Sequence, residues 1–381
     1  MTKRIKIFAA GCFYCLLCSL SSAVIPAVGA VVERELGITH ASFGMAIAFF
    51  MGGVVAGYLV FLSFSGPVWT VRIVRGSILV LASAGLISVV PSFIAVLCGR
   101  FLFGVAWSCA AMAASLIIVQ YFERNQQNLF CIVHATFLAG LGAGMYLTPP
   151  AARLLGSWQA FALVLAGIGG VLLLAACVFP VELNMEKRPS LISSFFGCIM
   201  QKRVALLVAL LSGYCAVETA MSYFCAVYAQ MELRLPVWQA AKITAFFLLG
   251  IVAGRLIFVL WIRRQPALPV IAGLVLTGCV FLLAGLAARG YCLPAGAMFM
   301  AGILFGPVYP LGIAGAVAAT ATNKDVAVSA GNVVINLACL IGVFAVGWIG
   351  DLVSLRFGLV MFCLMLMVLA ALIGFAVRRR V

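Results

Sequence analysis

Long apolar runs, each about as long as a bilayer is thick, follow one another along nearly the whole chain. Hydrophobic residues make up 66% of the 381 residues and charged residues only 9%, a balance that a water-soluble fold of this length could not keep in solution. We therefore predict an all-α integral membrane protein. Runs of about 20 apolar residues predict twelve transmembrane helices, at residues 7–32, 41–64, 76–96, 98–122, 130–150, 159–180, 204–229, 238–261, 268–288, 294–317, 327–350 and 357–378.

A nearly repeated decapeptide divides these helices into two sets of six. Residues 53–62 read GVVAGYLVFL and residues 250–259 read GIVAGRLIFV, and they lie in the second and the eighth predicted helix. Repeats of this kind relate the two halves of many membrane transporters, with the substrate between them. We predict two pseudo-symmetric bundles of six helices: an N-terminal bundle at 1–180, a cytoplasmic inter-bundle linker at 181–203 and a C-terminal bundle at 204–381.

The positive charges of the chain predict its orientation. Lysine and arginine number 24 against 9 aspartates and glutamates, and they concentrate in alternate loops, such as those around Lys187 and Arg263. Because cytoplasmic loops carry this excess, we expect both termini in the cytoplasm and the protein in the plasma (inner) membrane. Topology and anionic lipid head groups account for the net charge of +15, and we expect no nucleic-acid partner.

Glu218 is the acid that the sequence places near the middle of a predicted helix. A charged side chain at that depth costs at least about 2.5–3.5 kcal/mol on insertion scales, so it must face the interior of a bundle, a cavity or a partner. Tyr214 and Ser222, four residues to either side, share its helix face. We interpret this face as substrate-binding and Glu218 as the proton-coupling group. The alternative is a fixed structural ion pair.

Five further residues are candidates for the same substrate-binding cavity. Trp107 and Tyr309 each stand three residues after the glycine of a repeated Leu-Phe-Gly triplet, and their rings could stack on a sugar or another organic scaffold. Asn332 and Asn336 share one helix face. Arg100 keeps its charge and therefore needs a carboxylate, carbonyl groups or an anionic ligand. For each residue the alternative is structural: helix packing, interhelical hydrogen bonds or a buried ion pair.

Several motifs resemble the major facilitator superfamily of secondary transporters. The segment 99–106, GRFLFGVA, is similar to that family's fourth-helix motif of an arginine followed by small residues. Residues 254–256, GRL, with the basic pair at 263–264, resemble its eighth helix and the loop that follows. The glycines and prolines of 141–150 resemble its fifth-helix motif. The resemblance covers nearly the whole chain and implies two six-helix bundles around a central cavity.

The resemblance also implies gating residues and a closer branch of the family. Arg72 and Arg75 stand where the family has a basic loop after the second helix, although the aspartate of that motif is absent here. Arg255, near the cytoplasmic end of the eighth helix, is expected to brace the gate. The segments 306–310 and 347–351 are loosely similar to the fucose-permease-like sugar transporters.

These observations favour a secondary active transporter that moves a small polar organic solute, a sugar or another metabolite, by alternating access with proton coupling. We expect a monomer in the lipid bilayer, without cofactors or metals. No G-x4-G-K-[ST] motif is present, which argues against ATP as the direct energy source. With two histidines and nine acids, the chain lacks the clustered residues of an enzyme. Two alternatives stay open: efflux of amphipathic or toxic compounds by the same fold, and a non-transporting membrane sensor of transporter ancestry.

Overall fold

The computed structural model of the protein describes residues 2–63, 67–122, 126–178, 200–261, 267–319 and 324–378. In these residues it contains fifteen α-helices and no β-strand. The helices are α1 (Thr2–Ser22), α2 (Val24–Ala27), α3 (Gly29–Leu36), α4 (His40–Ser63), α5 (Pro67–Ser88), α6 (Phe93–Tyr121), α7 (Gln126–Leu155), α8 (Trp158–Val178), α9 (Lys202–Met231), α10 (Val237–Trp261), α11 (Ala267–Ala287), α12 (Cys292–Phe305), α13 (Val308–Ala319), α14 (Lys324–Leu352) and α15 (Leu355–Arg378).

The predicted all-α membrane class is confirmed. Within the described ranges, ten candidate spans are long and apolar enough to cross a membrane, and one of them runs through both α12 and α13. Helices α5 and α8, at the third and sixth predicted spans, are not among the ten. The count of twelve transmembrane helices therefore stays a prediction.

The chain divides into two compact units. One unit comprises Met1–Ile38 and Phe49–Pro189, and the other comprises Thr39–Ala48 and Ser190–Val381. Residues 181–199 of the predicted linker lie outside the described residues, and the predicted borders of the bundles stay a prediction.

Residues 39–48 belong to the second unit through a contact at the start of α4. The carboxylate of Asp351, at the end of α14, accepts hydrogen bonds from the backbone N–H groups of His40 and Ala41, each at 2.9 Å. The first N–H groups of a helix have no partner within the helix and attract negative charge. Asp351 therefore caps α4, a role that a residue of the same helix usually fills.

The glycines of the repeated decapeptide are points of close helix contact in the first unit. A Cβ atom at Gly53 on α4 would overlap the carbonyl oxygen of Phe101 on α6. A Cβ atom at Gly104 on α6 would likewise overlap the carbonyl oxygen of Phe50 on α4. The two backbones touch where neither helix has a side chain, which is how small residues let membrane helices approach.

The second unit repeats this contact between α10 and α12. A Cβ atom at Gly250 would overlap the carbonyl oxygen of Phe299, and one at Gly302 would overlap that of Phe247. One turn later, a Cβ atom at Gly254 would overlap the carbonyl oxygen of Ile303. The sequence repeat thus corresponds to the same packing contact in each unit.

Proline interrupts the first predicted span, so the single helix predicted at 7–32 is wrong. The structure has three pieces there, with α1 ending at Ser22 and α3 beginning at Gly29. Pro26, in the short α2, has no N–H to donate to the carbonyl of Ser22 four residues earlier. The helix is therefore broken at this depth, and the Ser22 carbonyl needs another donor.

The predicted bounds of the third span, 76–96, are also wrong. Helix α5 begins at Pro67 and ends at Ser88. Proline is favoured in the first turn of a helix, and the residue before Pro91 is unfavourable for helix continuation. Arg72 and Arg75, expected in the loop after the second helix, consequently lie on α5, where Arg72 is exposed and Arg75 is partly buried.

Candidate functional site

The tenth predicted span is broken near its middle, between α12 and α13, because of two prolines. Pro307 has no N–H to donate to the carbonyl of Ile303, and Pro310 has none for the carbonyl of Gly306. Helix α12 ends at Phe305 and α13 begins at Val308. The break therefore leaves backbone carbonyl groups that need donors from other helices.

Two buried side chains donate to carbonyl groups at this break, and one of these is the carbonyl of Gly306. The hydroxyl of Tyr214 on α9 donates to the carbonyl oxygen of Phe305 at 3.1 Å. The Nε atom of Arg255 on α10 donates to the carbonyl oxygen of Gly306, also at 3.1 Å. Tyr214 is 0% exposed and Arg255 is 4% exposed, so water does not compete for either bond. Arg255, expected to brace a gate near the cytoplasmic end, has its guanidinium on the break in the tenth span.

Glu218 connects both donors. Its carboxyl group lies within hydrogen-bonding reach of the Tyr214 hydroxyl and close enough to Arg255 for an electrostatic interaction. Tyr214 is four residues earlier on α9, so the helical spacing alone brings the two side chains together. Ser222, the third residue of this face, is buried and donates to the backbone carbonyl of Glu218 at 2.7 Å. The Ser222 hydroxyl therefore donates its hydrogen bond within α9.

Tyr309 and the two asparagines extend this arrangement towards α14. The Tyr309 hydroxyl donates to Oδ1 of Asn332 at 2.7 Å, and Nδ2 of Asn336 donates to the backbone carbonyl of Asn332 at 2.7 Å. The guanidinium carbon of Arg255 lies 5.9 Å from the centre of the Tyr309 ring. We refer to these six residues as the polar network: Tyr214, Glu218, Arg255, Tyr309, Asn332 and Asn336.

The polar network is partly open. Glu218, Tyr309 and Asn336 are partly exposed, whereas Tyr214, Arg255 and Asn332 are buried. An organic ligand could therefore reach a carboxyl group, a phenol ring and an amide, which together accept and donate hydrogen bonds and stack on a ring. In the described part of the chain, no group of three or more His, Cys, Asp or Glu side chains is placed to hold a metal ion.

In the first unit, Arg100 on α6 also binds a carbonyl that proline leaves without a partner. It is 1% exposed, and its Nη1 atom donates to the carbonyl oxygen of Ser22 at 2.6 Å. Its guanidinium carbon lies 4.7 Å from the centre of the Phe50 ring, a cation–π contact. Arg100 thus joins the first broken span to α6 and α4.

Trp107 lies two turns further along α6. Its Nε1 atom donates to the hydroxyl oxygen of Ser19 at 3.3 Å. Its ring centre is 4.6 Å from that of Phe137 and 6.4 Å from that of Phe50. Trp107 is partly exposed, and Phe50 is the ring that it shares with Arg100.

A small cavity beside Arg100 lies inside the first unit. Ser21, Ser88 and Trp158 line it together with apolar side chains. It has room for about one water molecule. This cavity is too small for an organic solute.

The structure brings together five of the residues that the sequence proposed for the site, Tyr214, Glu218, Tyr309, Asn332 and Asn336, all in the second unit. Arg100 and Trp107 are neighbours in the first unit. The sequence analysis does not predict that Arg100 and Arg255 donate to backbone carbonyls at the helix breaks, although the sequence contains a signal for it. A proline four residues after a carbonyl in the middle of a span, as in Ser22–Pro26 and Gly306–Pro310, indicates that another helix must supply a hydrogen bond.

Comparison with known proteins identifies the family. The sequence model of the Major Facilitator Superfamily matches residues 8–343. The chain belongs to this superfamily. Because the superfamily consists of membrane transporters, the expectation of a transporter rather than an enzyme is confirmed. No curated protein matches the sequence significantly.

Solved structures of other transporters share the fold of this superfamily member. A bacterial homolog of the human lysosomal transporter Spinster, in an inward-facing and unoccupied conformation, has a TM-score of 0.78 at 14% identity, covering 98% of this chain and 97% of that one. The nucleoside transporter NupG has a TM-score of 0.75 at 12% identity, covering 98% of each chain. The Escherichia coli fucose:proton symporter FucP has a TM-score of 0.65 at 14% identity, also covering 98% of each. At these identities the likeness establishes the fold.

Proposed function

We propose that the protein is a proton-coupled secondary active transporter of a small polar organic solute. The observation that carries the proposal is the position of Glu218, a carboxyl group in the middle of α9, beside a buried arginine and a buried tyrosine. An ionisable group at membrane depth is costly, and such groups mark proton and substrate pathways. In this proposal Glu218 takes up and releases the coupling proton as access to the site alternates between the two faces of the membrane.

We propose that the solute carries hydroxyl groups on a ring, as sugars and nucleosides do. The Tyr309 ring, the Asn336 amide and the carboxyl group of Glu218 are the partly exposed members of the polar network, and this combination suits such a ligand. A fucose:proton symporter and a nucleoside transporter share the fold, which supports the same class. Trp107 and Arg100 stay predicted substrate-binding residues, as the sequence suggests. Tyr214 and Asn332 position the polar groups.

We also propose that the protein is a monomer in the inner membrane with both termini in the cytoplasm. The support for the orientation is the distribution of lysine and arginine, which accumulate in the loops that it places inside.

Transport by Glu218→Gln tests the proposal. Solutes are first chosen by thermal shift of the purified protein with L-fucose, uridine, amino acids and organic acids, since a ligand of the folded state raises its apparent stability. Uptake of the labelled solutes is then followed in proteoliposomes with and without a pH gradient. Glutamine keeps the size and hydrogen-bonding capacity of the side chain but fixes it in a neutral state.

We expect Glu218→Gln to lose uphill, proton-driven accumulation while it keeps exchange of solute between equal pools, because exchange requires no net release of a proton. The matched control is Glu232→Gln, at the end of the same helix, where the exposed carboxylate accepts a hydrogen bond from the backbone of Arg356. It should accumulate solute like the wild type. Unchanged pH-dependent accumulation in Glu218→Gln would exclude the proton-carrying role, and preferential uptake of amphipathic cations would favour an efflux function.

A further inference from the structure

The hydroxyl group of Tyr214 has one hydrogen and two acceptors within reach. One acceptor is the carbonyl oxygen of Phe305, at 3.1 Å. The other is the carboxyl group of Glu218. A phenol can donate one hydrogen bond at a time, so the charge on Glu218 decides which acceptor receives it. An ionised carboxylate is the stronger acceptor, whereas a protonated carboxylic acid can itself donate to the tyrosine oxygen.

The first of these acceptors, the carbonyl of Phe305, lies at the break in the tenth span. Phe305 is the last residue of α12, and α13 begins at Val308. Tyr309, four residues later, already belongs to α13. Because the two prolines kink the span at this point, the hydrogen bond from Tyr214 stabilises the bent form of the tenth span.

We propose that Tyr214 transmits the protonation state of Glu218 to the break between α12 and α13. When Glu218 takes up a proton, the carboxylic acid donates to the tyrosine oxygen and the tyrosine donates to Phe305, which holds the bend. When Glu218 releases the proton, the tyrosine hydroxyl rotates towards the carboxylate, Phe305 loses its donor and the bend relaxes. One proton is taken up or released, and no other covalent bond changes. This inference rests on the proposed function for its role in transport.

Other groups around Glu218 act in the same direction. Arg255 comes from α10 and holds the neighbouring carbonyl of Gly306, and an ionised Glu218 attracts its guanidinium away from that carbonyl. The remaining titratable groups that interact with Glu218 in the described residues are two buried thiols, Cys215 on α9 and Cys339 on α14. Of these groups, Tyr214 and Arg255 are the two that donate hydrogen bonds at the break.

The first unit contains a matched arrangement without the acid. Tyr14, Cys18 and Ser22 follow the same spacing as Tyr214, Glu218 and Ser222, so a cysteine stands where the second unit has the glutamate. The Tyr14 hydroxyl shares a hydrogen bond of 2.7 Å with the hydroxyl of Ser77. The break after Ser22 therefore has an arginine donor and a cysteine in the position that corresponds to Glu218, and it serves as an internal control.

Distance measurement between two spin labels tests the inference. Cysteines replace Gly296 on α12, where a side chain would meet no atom within 4 Å, and Ala318 on α13, which is exposed. The native Cys98, Cys177, Cys198 and Cys292 are replaced by alanine. Double electron–electron resonance on the protein in nanodiscs gives the distance at acidic and alkaline pH. Infrared difference spectra follow protonation of Glu218 through its carboxylic acid band, which is absent in Glu218→Gln.

We expect the wild type to change its label distance by on the order of 2 Å or more as Glu218 titrates. Glu218→Gln should keep the acidic distance at every pH. In Tyr214→Phe the infrared band of Glu218 should still titrate while the distance stays constant. Labels at positions 13 and 34, across the break in the first unit, should show no pH-dependent change.

A wild-type distance change that persists in Tyr214→Phe would overturn the inference, as would a carboxylic acid band that does not titrate. The transport assay separates this outcome from the proposed function. Proton-driven accumulation that survives Tyr214→Phe together with a constant label distance would refute the role of the bend and leave proton coupling intact. Solute transport that is independent of the pH gradient, with a normal distance change, would refute proton coupling and leave the switch intact.

Discussion

Arg100 donates a hydrogen bond to the carbonyl oxygen of Ser22, the carbonyl that Pro26 leaves without a helical partner. The second unit repeats this solution, because Arg255 binds the carbonyl of Gly306, which also precedes a proline by four residues. Each arginine is buried, and each ties a broken span to a helix that carries no break at that point. Both units therefore stabilise a break in a membrane helix with a buried arginine.

A backbone N–H at position 310 should reduce the contribution of Arg255 to the free energy of unfolding. Arg255→Met is expected to lower the free energy of unfolding by about 2–3 kcal/mol, since it removes a charge-assisted hydrogen bond and leaves a carbonyl unpaired. Pro310→Ala provides an N–H for the carbonyl of Gly306. In the double variant we expect a recovery of about 1 kcal/mol relative to additivity, measured as a thermodynamic cycle from unfolding curves in detergent. Strict additivity would show that the bond from Arg255 to the Gly306 carbonyl does not contribute to stability.

The glycine contacts predict a sharp difference between two positions on α12. Gly302→Ala should lower the free energy of unfolding by about 1–3 kcal/mol, because the new methyl group overlaps the backbone of α10. Gly296→Ala, where no atom lies within 4 Å, should stabilise the protein by up to about 1 kcal/mol through helix propensity. Thermal unfolding of both variants measures the difference. Equal stabilities would show that the two backbones do not touch.

The cap on α4 predicts a graded effect at Asp351. Asp351→Ala removes both acceptors for the N–H groups of His40 and Ala41 and should cost about 1 kcal/mol. Asp351→Asn keeps one acceptor oxygen but no charge, so about half of that loss is expected. Because the carboxylate is exposed, raising the salt concentration should reduce the difference between aspartate and asparagine. Unfolding at two ionic strengths checks this, and a loss independent of salt would speak against a charge effect.

The proposed orientation predicts the side from which exposed residues can be labelled. A cysteine at Lys202 should react with a membrane-impermeant thiol reagent from the cytoplasmic side, and one at Arg289 from the outside. Both side chains are exposed, so burial does not limit the reaction. Labelling in intact cells and in inverted vesicles distinguishes the sides. Reaction of both positions from one side would contradict the proposed topology.

The sequence predicts the features that depend on spacing along one helix. It does not predict which residues of two separate helices contact each other. The helical class follows from apolar runs, and Tyr214 and Glu218 share a face because they are four residues apart. The repeated glycines of the two decapeptides indicate the symmetry of the chain from sequence alone. The bond between Arg255 and Gly306 depends on the relative height of α10 and α12, which no spacing along one helix determines. The break at Ser22 was missed because apolar composition continues across it while Pro26 removes a single hydrogen bond.

The contact between Gly250 and Gly302 also limits how the second unit can deform. Two backbones in direct contact leave no room for a side chain between them, so α10 and α12 are closely paired at this level. We therefore expect α10 and α12 to move together as a rigid pair. The flexible point of the second unit is then just beyond this contact, where α12 ends at Phe305. A movement of the paired helices relative to α13 would therefore strain the hydrogen bonds that Tyr214 and Arg255 donate to the carbonyls of Phe305 and Gly306.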